Sequence, residues 1–123
     1  AVGGIVIGYE IGRLLNVETI FAERVNKIFQ LRRGFEIKKN HKILFVEDVI
    51  TTGKSSLECS VLAEKLGAEI VGFASLIDRS NGKSKINKKI ISQVQIEIPT
   101  FTEEDIPEKI KRIKATKPGS RDL

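Results

Sequence analysis

The chain is short of several residue types, and each shortage excludes something. Among its 123 residues there is no methionine and no tryptophan, with one cysteine, one histidine, one tyrosine and three prolines. The lone cysteine, Cys59, rules out an internal disulfide framework and fits a reducing compartment, so the cytoplasm is the expected location. No apolar run approaches the roughly 20 residues that a membrane-spanning helix needs, and nothing resembles a signal peptide, so no membrane partner is expected. With one Tyr and no Trp, a nucleic-acid surface would have to stack bases on scattered phenylalanines, so nucleic acid is not expected either. A translated chain starts with Met, whereas this one starts at Ala1 in what reads as the middle of a domain. An N-terminal segment is therefore expected to be missing.

What is present suits one globular domain over residues 1–123, with 41% apolar residues and enough length for a core. The net charge of +5 is unevenly spread. Arg24, Lys27, Arg32, Arg33, Lys38, Lys39 and Lys42 face a single acid, Glu36, within residues 24–42, and Arg79, Lys83, Lys85, Lys88 and Lys89 have no acid among residues 79–96. Such stretches suit an anionic partner, but charge runs also occur as plain solvated faces.

Periodicity predicts a helix from about Gly4 to Leu15, with Gly8 and Gly12 one turn apart for close packing on a sheet. "VETIFAE" (17–23) alternates and is predicted as a strand. Residues 24–36 fit no single period and read as a flexible hairpin loop, and "KKNHK" (38–42) as a polar turn with His41 exposed. "KILFVEDVI" (42–50) is an apolar run without alternation, as expected for a parallel strand buried on both faces. A helical stripe of Leu57, Val61, Leu62 and Leu66 follows, stopped at Gly67, with Cys59 as a small buried residue. "EIVGFASLID" (69–78) is the next strand. Residues 87–98 are predicted as another, with Ile90, Val94, Ile96 and Ile98 as core positions and Pro99 as its end. A short helix near Pro107 and an irregular tail from about residue 115 complete the chain. The strand–helix–strand order predicts an α/β fold, an open and mainly parallel sheet flanked by helices.

The stretch "VEDVITTGKSS" (46–56) carries the chemistry. Gly53-Lys54-Ser55 resembles the end of a nucleotide-binding P-loop, but that motif needs glycine at position 48, where a carboxylate stands. Taken at face value, Glu47 and Asp48 end a parallel strand at its carboxyl edge, where α/β folds place ligands. Thr51 to Ser55 form a tight turn into a helix, a receptor for one phosphate, with Ser55 or Ser56 as candidate caps. Two acids beside a phosphate receptor fit a sugar phosphate with a vicinal diol, such as ribose 5-phosphate. Arg79 ends the next strand at the same edge, and its guanidinium fork suits a carboxylate.

"ILFVEDVITTGKS" (43–55) resembles the phosphoribosyl-pyrophosphate (PRPP) signature of type I phosphoribosyltransferases. "AVGGIVIGYEIGRLL", "FAER", "LRRGFEIK", "LIDRSNGK" and "KPGSR" are together similar to the orotate-using branch of that family, from Ala1 to about Arg121. The resemblance implies a type I phosphoribosyltransferase-like fold whose N-terminal strand and hood are missing. It implies transfer of ribose 5-phosphate from PRPP to N1 of orotate, giving orotidine 5′-monophosphate and pyrophosphate, in a homodimer. On that resemblance Glu47, Asp48, Val49 and Ile50 belong to the PRPP site with Thr51, Thr52, Gly53, Lys54 and Ser55. Thr51 and Arg79 border orotate, Val2, Gly3 and Gly4 form the pyrophosphate loop, and Arg24 and Lys27 are its loop cations. Mg²⁺ is carried by the pyrophosphate, with Asp48 the candidate protein contact. The departure is Phe29, which stands where the family's basic loop has a histidine; by charge alone Arg32 and Arg33 are equally eligible cations. Another type I phosphoribosyltransferase, or a non-catalytic PRPP-binding regulator, is the alternative.

Overall fold

The computed structural model describes residues 2–99, 101–114 and 116, with Val2 described by its backbone; the expected irregular tail and "KPGSR" lie outside these residues apart from Thr116. A 3₁₀ turn, Val2–Gly4, leads into helix α1 (Ile5–Leu15), as the periodicity predicts. Asn16 closes the helix in a left-handed conformation, φ 54°, which asparagine tolerates better than most residues.

Strands β3 (Lys42–Ile50), β4 (Glu69–Asp78) and β5 (Ile90–Gln95) form a three-stranded parallel sheet in that order, and helix α2 (Lys54–Lys65) connects the first two. The bounds of β3 and β4 coincide with the predicted strands. Gly67, at φ +90°, ends the α2 connection where a stop was expected. A four-residue helix, α3 (Glu108–Lys111), begins directly after Pro107.

Three expectations are corrected. The alternating stretch 17–23 is not a strand along its length; residues 17–21 lie outside any ladder, and pairing starts at Ala22. No strand of the described residues lies beside 17–21, so its extended backbone is tied to α1 instead, where Thr19 Oγ1 donates to the Gly8 carbonyl at 3.2 Å. A Cβ on Gly12 would overlap that same hydroxyl, so the two small residues of α1 admit Thr19 as well as the sheet.

The hairpin expected within residues 24–36 is present, but its arms are paired strands up to Leu31 rather than a flexible loop. Strands β1 (Ala22–Val25) and β2 (Ile28–Leu31) pair antiparallel around Asn26 and Lys27, whose φ values of 50° and 67° match a two-residue hairpin turn of positive-φ type.

The third correction concerns burial. The core lies on the α2 side of the sheet, where Ile50, Ala63, Ile70, Phe73 and Ile86 form one cluster and Phe45 stacks on Phe73 at 5.4 Å. The opposite face is covered over part of β3 by the 3₁₀ turn and α1, leaving Val71 50% and Ile91 57% exposed. The predicted strand over 87–98 shortens to Ile90–Gln95. Of its four candidate core residues Ile90 packs against the cluster, while Val94, Ile96 and Ile98 are exposed. An apolar run alone could not distinguish a face with a covering layer from one without.

Phe73 is 2% exposed and central to the cluster. Phe73→Ala is expected to destabilise the fold by about 3–5 kcal/mol, measured by denaturant unfolding.

Candidate functional site at the carboxyl edge of the sheet

The site is built where β3 turns into α2. A strand alternates its side chains, so two adjacent acids cannot share a face. Glu47 turns under α2, 7% exposed, and accepts a hydrogen bond from Ser56 Oγ at 3.0 Å. Asp48 turns to the open side, where its Oδ1 accepts the Val49 N–H at 2.9 Å. Its carboxylate lies against Gly3 of the 3₁₀ turn so closely that a Cβ there would sit 2.7 Å from Asp48 Cγ. Any side chain at position 3 would displace the acid, which explains why glycine stands there.

Past Asp48 the chain dives back into the core. Ile50 is 1% exposed, so this candidate ligand residue can offer a ligand no side chain. Its carbonyl accepts the Arg79 N–H at 2.8 Å and so joins the ends of β3 and β4. Thr51 and Thr52 form an exposed bend, and Gly53 follows at φ +74°, left-handed and buried. A Cβ on Gly53 would come within 2.6 Å of Ser84 Oγ and 2.8 Å of Ile86 Cγ1. Both the dihedral and the contact therefore demand glycine.

The expectation that Ser55 or Ser56 caps α2 is corrected. Gly53 is the N-cap and no side chain caps the helix; Ser56 is drawn away by Glu47. Thr52 Oγ1 accepts the Lys54 N–H at 3.3 Å, a marginal bond. A helix start with so little internal satisfaction, preceded by two exposed threonines, has the chemistry that suits an anion.

The segment after β4 folds over this turn. Lys85 N–H donates to the Thr52 carbonyl at 3.1 Å, and Ile86 enters the core. Asp78 Oδ1 accepts the Ser80 N–H at 2.8 Å, which bends the chain directly after Arg79. Arg79 is half-buried, and its Nε is buried without a hydrogen-bond partner. A guanidinium N–H left so is costly, and an incoming acceptor would relieve it.

The basic stretch divides. Arg24 reaches α2: its Nη2 donates to Glu58 and lies 3.4 Å from Ser55 Oγ, Nη1 donates to the Lys27 carbonyl at 3.0 Å, and the guanidinium sits 4.1 Å from the centre of the Phe29 ring. Lys27 holds the hairpin tip with its side chain exposed. Arg33 pairs with Glu23 at 2.9 Å and Arg32 approaches the same acid at 4.0 Å, so both turn to the hairpin's own carboxylate. Arg33 holds that carboxyl below its usual range through the hydrogen bond. Phe29, where the resemblance implies a histidine, is a buried platform beneath Arg24.

Glu58 was not singled out by sequence, and Ser56 was expected only as a helix cap. The spacing of Lys54 and Glu58, four apart on a helix, was the available signal for the first; their charged atoms are 4.0 Å apart. Nothing in the sequence marked Ser56 as the partner of Glu47.

The chain matches the phosphoribosyl transferase domain model over residues 3–110. It belongs to the phosphoribosyl transferase domain family. Among curated relatives it is 45% identical, over its whole length, to a protein named orotate phosphoribosyltransferase from Parvibaculum lavamentivorans, and 46% identical over 98% of its length to one of the same name from Erythrobacter litoralis. It spans 63% of the length of each. Among solved structures it is similar to adenine phosphoribosyltransferase from Thermoanaerobacter pseudethanolicus, with a TM-score of 0.61 and 16% identity over 76% of this chain and 65% of that one. At that identity the likeness supports the phosphoribosyltransferase fold alone.

Cys59 lies on α2, half-buried, and burial pushes its thiol pKa up. The thiolate is correspondingly scarce, so alkylation by iodoacetamide at pH 8 is expected to run several-fold slower than that of a free cysteine. The difference should vanish in denaturant.

Proposed function

We propose that the complete protein transfers ribose 5-phosphate from PRPP to orotate, forming orotidine 5′-monophosphate and releasing pyrophosphate. The observation that supports this most directly is the pairing of two features at one strand edge. The uncapped turn Thr51–Ser55 suits a phosphate, and the buried, unpartnered Nε of Arg79 suits the carboxylate of a base. The names of the relatives point to the same substrate.

In this reading Thr51, Thr52, Gly53, Lys54 and Ser55 hold the 5-phosphate. Asp48, on the open side, takes the ribose hydroxyls, with Glu47 behind the strand, hydrogen-bonded to Ser56. Gly3 and Gly4, pressed against the end of β3, offer backbone N–H groups to the pyrophosphate. Thr51 and Arg79 orient orotate so that N1 faces C1 of the ribose. The C1–oxygen bond to pyrophosphate breaks, its electron pair leaving with the pyrophosphate, and N1 supplies the pair for the new bond as its proton passes to a pyrophosphate oxygen. Alignment and charge placement perform the catalysis, and no protein nucleophile is used.

Among the described residues no group of three or more His, Cys, Asp or Glu could hold a metal ion. One exposed carboxylate at the strand end, Asp48, fits a Mg²⁺ that arrives on the pyrophosphate, where it would neutralise the leaving group. The apolar side chains that α1 turns outward, Tyr9, Leu14 and Leu15 among them, supply a surface for a second copy, so a homodimer belongs to the proposal. No helix among the described residues is long and apolar enough to cross a membrane. A cytoplasmic location is proposed from the single cysteine.

The deciding assay incubates the complete protein with PRPP, Mg²⁺ and orotate and follows the loss of orotate absorbance, with uracil and purines as controls. Turnover of a control base but not orotate would assign another substrate; PRPP binding without turnover of any base would favour a regulator. Arg79→Ala is expected to raise the KM for orotate about tenfold or more while moving the KM for PRPP much less. Equal effects would remove Arg79 from the base site. Asp48→Asn is expected to weaken PRPP binding by about tenfold in calorimetry, and an unchanged affinity would remove the ribose assignment.

A further inference from the structure

Arg24 is constrained from several sides. The Phe29 ring lies beneath its guanidinium, the Lys27 carbonyl and Glu58 accept its N–H groups, and Ser55 Oγ is at 3.4 Å. Three of these groups belong to its own hairpin or to the flank of α2; Ser55 belongs to the phosphate turn itself. The candidate pyrophosphate loop, Val2–Gly4, makes its close contacts elsewhere, on Val46, Glu47 and Asp48. Two cations, Arg24 and Lys54, thus converge on Glu58 at the start of α2, with Lys54 Nζ 4.0 Å from it.

The Arg24–Glu58 pair is more than a third exposed on both sides, and pairs of that kind add little to fold stability. What the arrangement does is fix a direction. An arginine already stacked and hydrogen-bonded loses little rotamer freedom when an anion arrives. Its charge sits beside a helix start that already favours a phosphate.

We infer that Arg24 serves the phosphate-monoester end of the ligand rather than its pyrophosphate end, and that Glu58 is the positioning residue that aims it. The inference rests on the reading of Thr51–Ser55 as the 5-phosphate receptor. It also gives Phe29 a role: where the family's basic loop has a histidine, this chain has the aromatic platform that holds Arg24 on α2.

The test splits the ligand. Ribose 5-phosphate and Mg²⁺-pyrophosphate are titrated separately into the complete protein by calorimetry. Arg24→Gln is expected to weaken ribose 5-phosphate about tenfold and leave pyrophosphate within about twofold. Glu58→Gln is expected to weaken ribose 5-phosphate about threefold, to leave the melting temperature unchanged, and to have no further effect in the Arg24→Gln background. That non-additivity is a readout that an independent structural role of Glu58 would not produce. Loss of pyrophosphate binding with ribose 5-phosphate unaffected would overturn the inference, as would additive effects of the two substitutions. A wild-type protein that bound PRPP but not ribose 5-phosphate would overturn it while leaving the wider reading in place. Failure to bind either ligand or PRPP would remove the phosphate-turn reading itself.

Discussion

The left-handed backbone at Gly53 is the constraint on which the site depends. It lets β3 end, reverse and start α2 within a few residues, and its bare Cα lets Ile86 and Ser84 press in from the segment after β4. One contact therefore has two consequences. It places a poorly satisfied helix start at the carboxyl edge of the sheet, and it ties down the segment that leaves Arg79. Because Ile86 also belongs to the core cluster, the geometry of the turn is set by the packing that stabilises the fold. A site joined to the core in this way needs little rearrangement to receive its anion.

The basic stretches show why net charge is a poor guide to a binding surface. Residues 24–42 look like one positive field in sequence, yet the hairpin divides it. Arg32 and Arg33 turn to Glu23, while Arg24 crosses to Glu58. The acid on β1 and the acid on α2 act as sorters, and Arg24, left beside the Thr51–Ser55 turn, lies over the Phe29 ring. A flat count of lysines and arginines contains none of this, because the partners are brought together by pairing and packing over long stretches of chain.

The same limit explains which parts of the fold were legible. β3, α2 and β4 were readable because each is marked locally, by an apolar run, a helical stripe, and glycines at 53 and 67 where the chain must turn. The turn at Thr51–Ser55 was readable for the same reason. The stretch 17–23 has a strand's alternation, but a strand also needs a neighbour, and pairing is not written in a segment's own residues. Ile96 and Ile98 looked like core by composition, yet burial depends on what lies opposite. The two acids were both visible as site candidates. That only Asp48 lies on the open side follows from the pleat, and it needed only the register of the strand to be known.

The sheet's unequal faces bear on how the site works. The turn proposed to hold the phosphate rests on the α2 face, where Ile50, Phe73 and Ile86 pack together. Asp48 projects to the other face, where among the described residues its close neighbour is the 3₁₀ turn at Gly3. The two ends of a sugar phosphate would thus meet surroundings of different stiffness, a preformed cradle at the monoester and a more thinly supported acid at the ribose. For a transfer reaction that division is useful. The phosphate that stays with the sugar throughout can be held by rigid contacts, since uniform binding anchors without resisting the reaction. The carbon that changes partners must move between leaving group and base, and on the proposed reading it would lie near the exposed Asp48. On the proposed reading, rigidity follows the part of the substrate that does not react, since the core lies beneath the turn assigned to it.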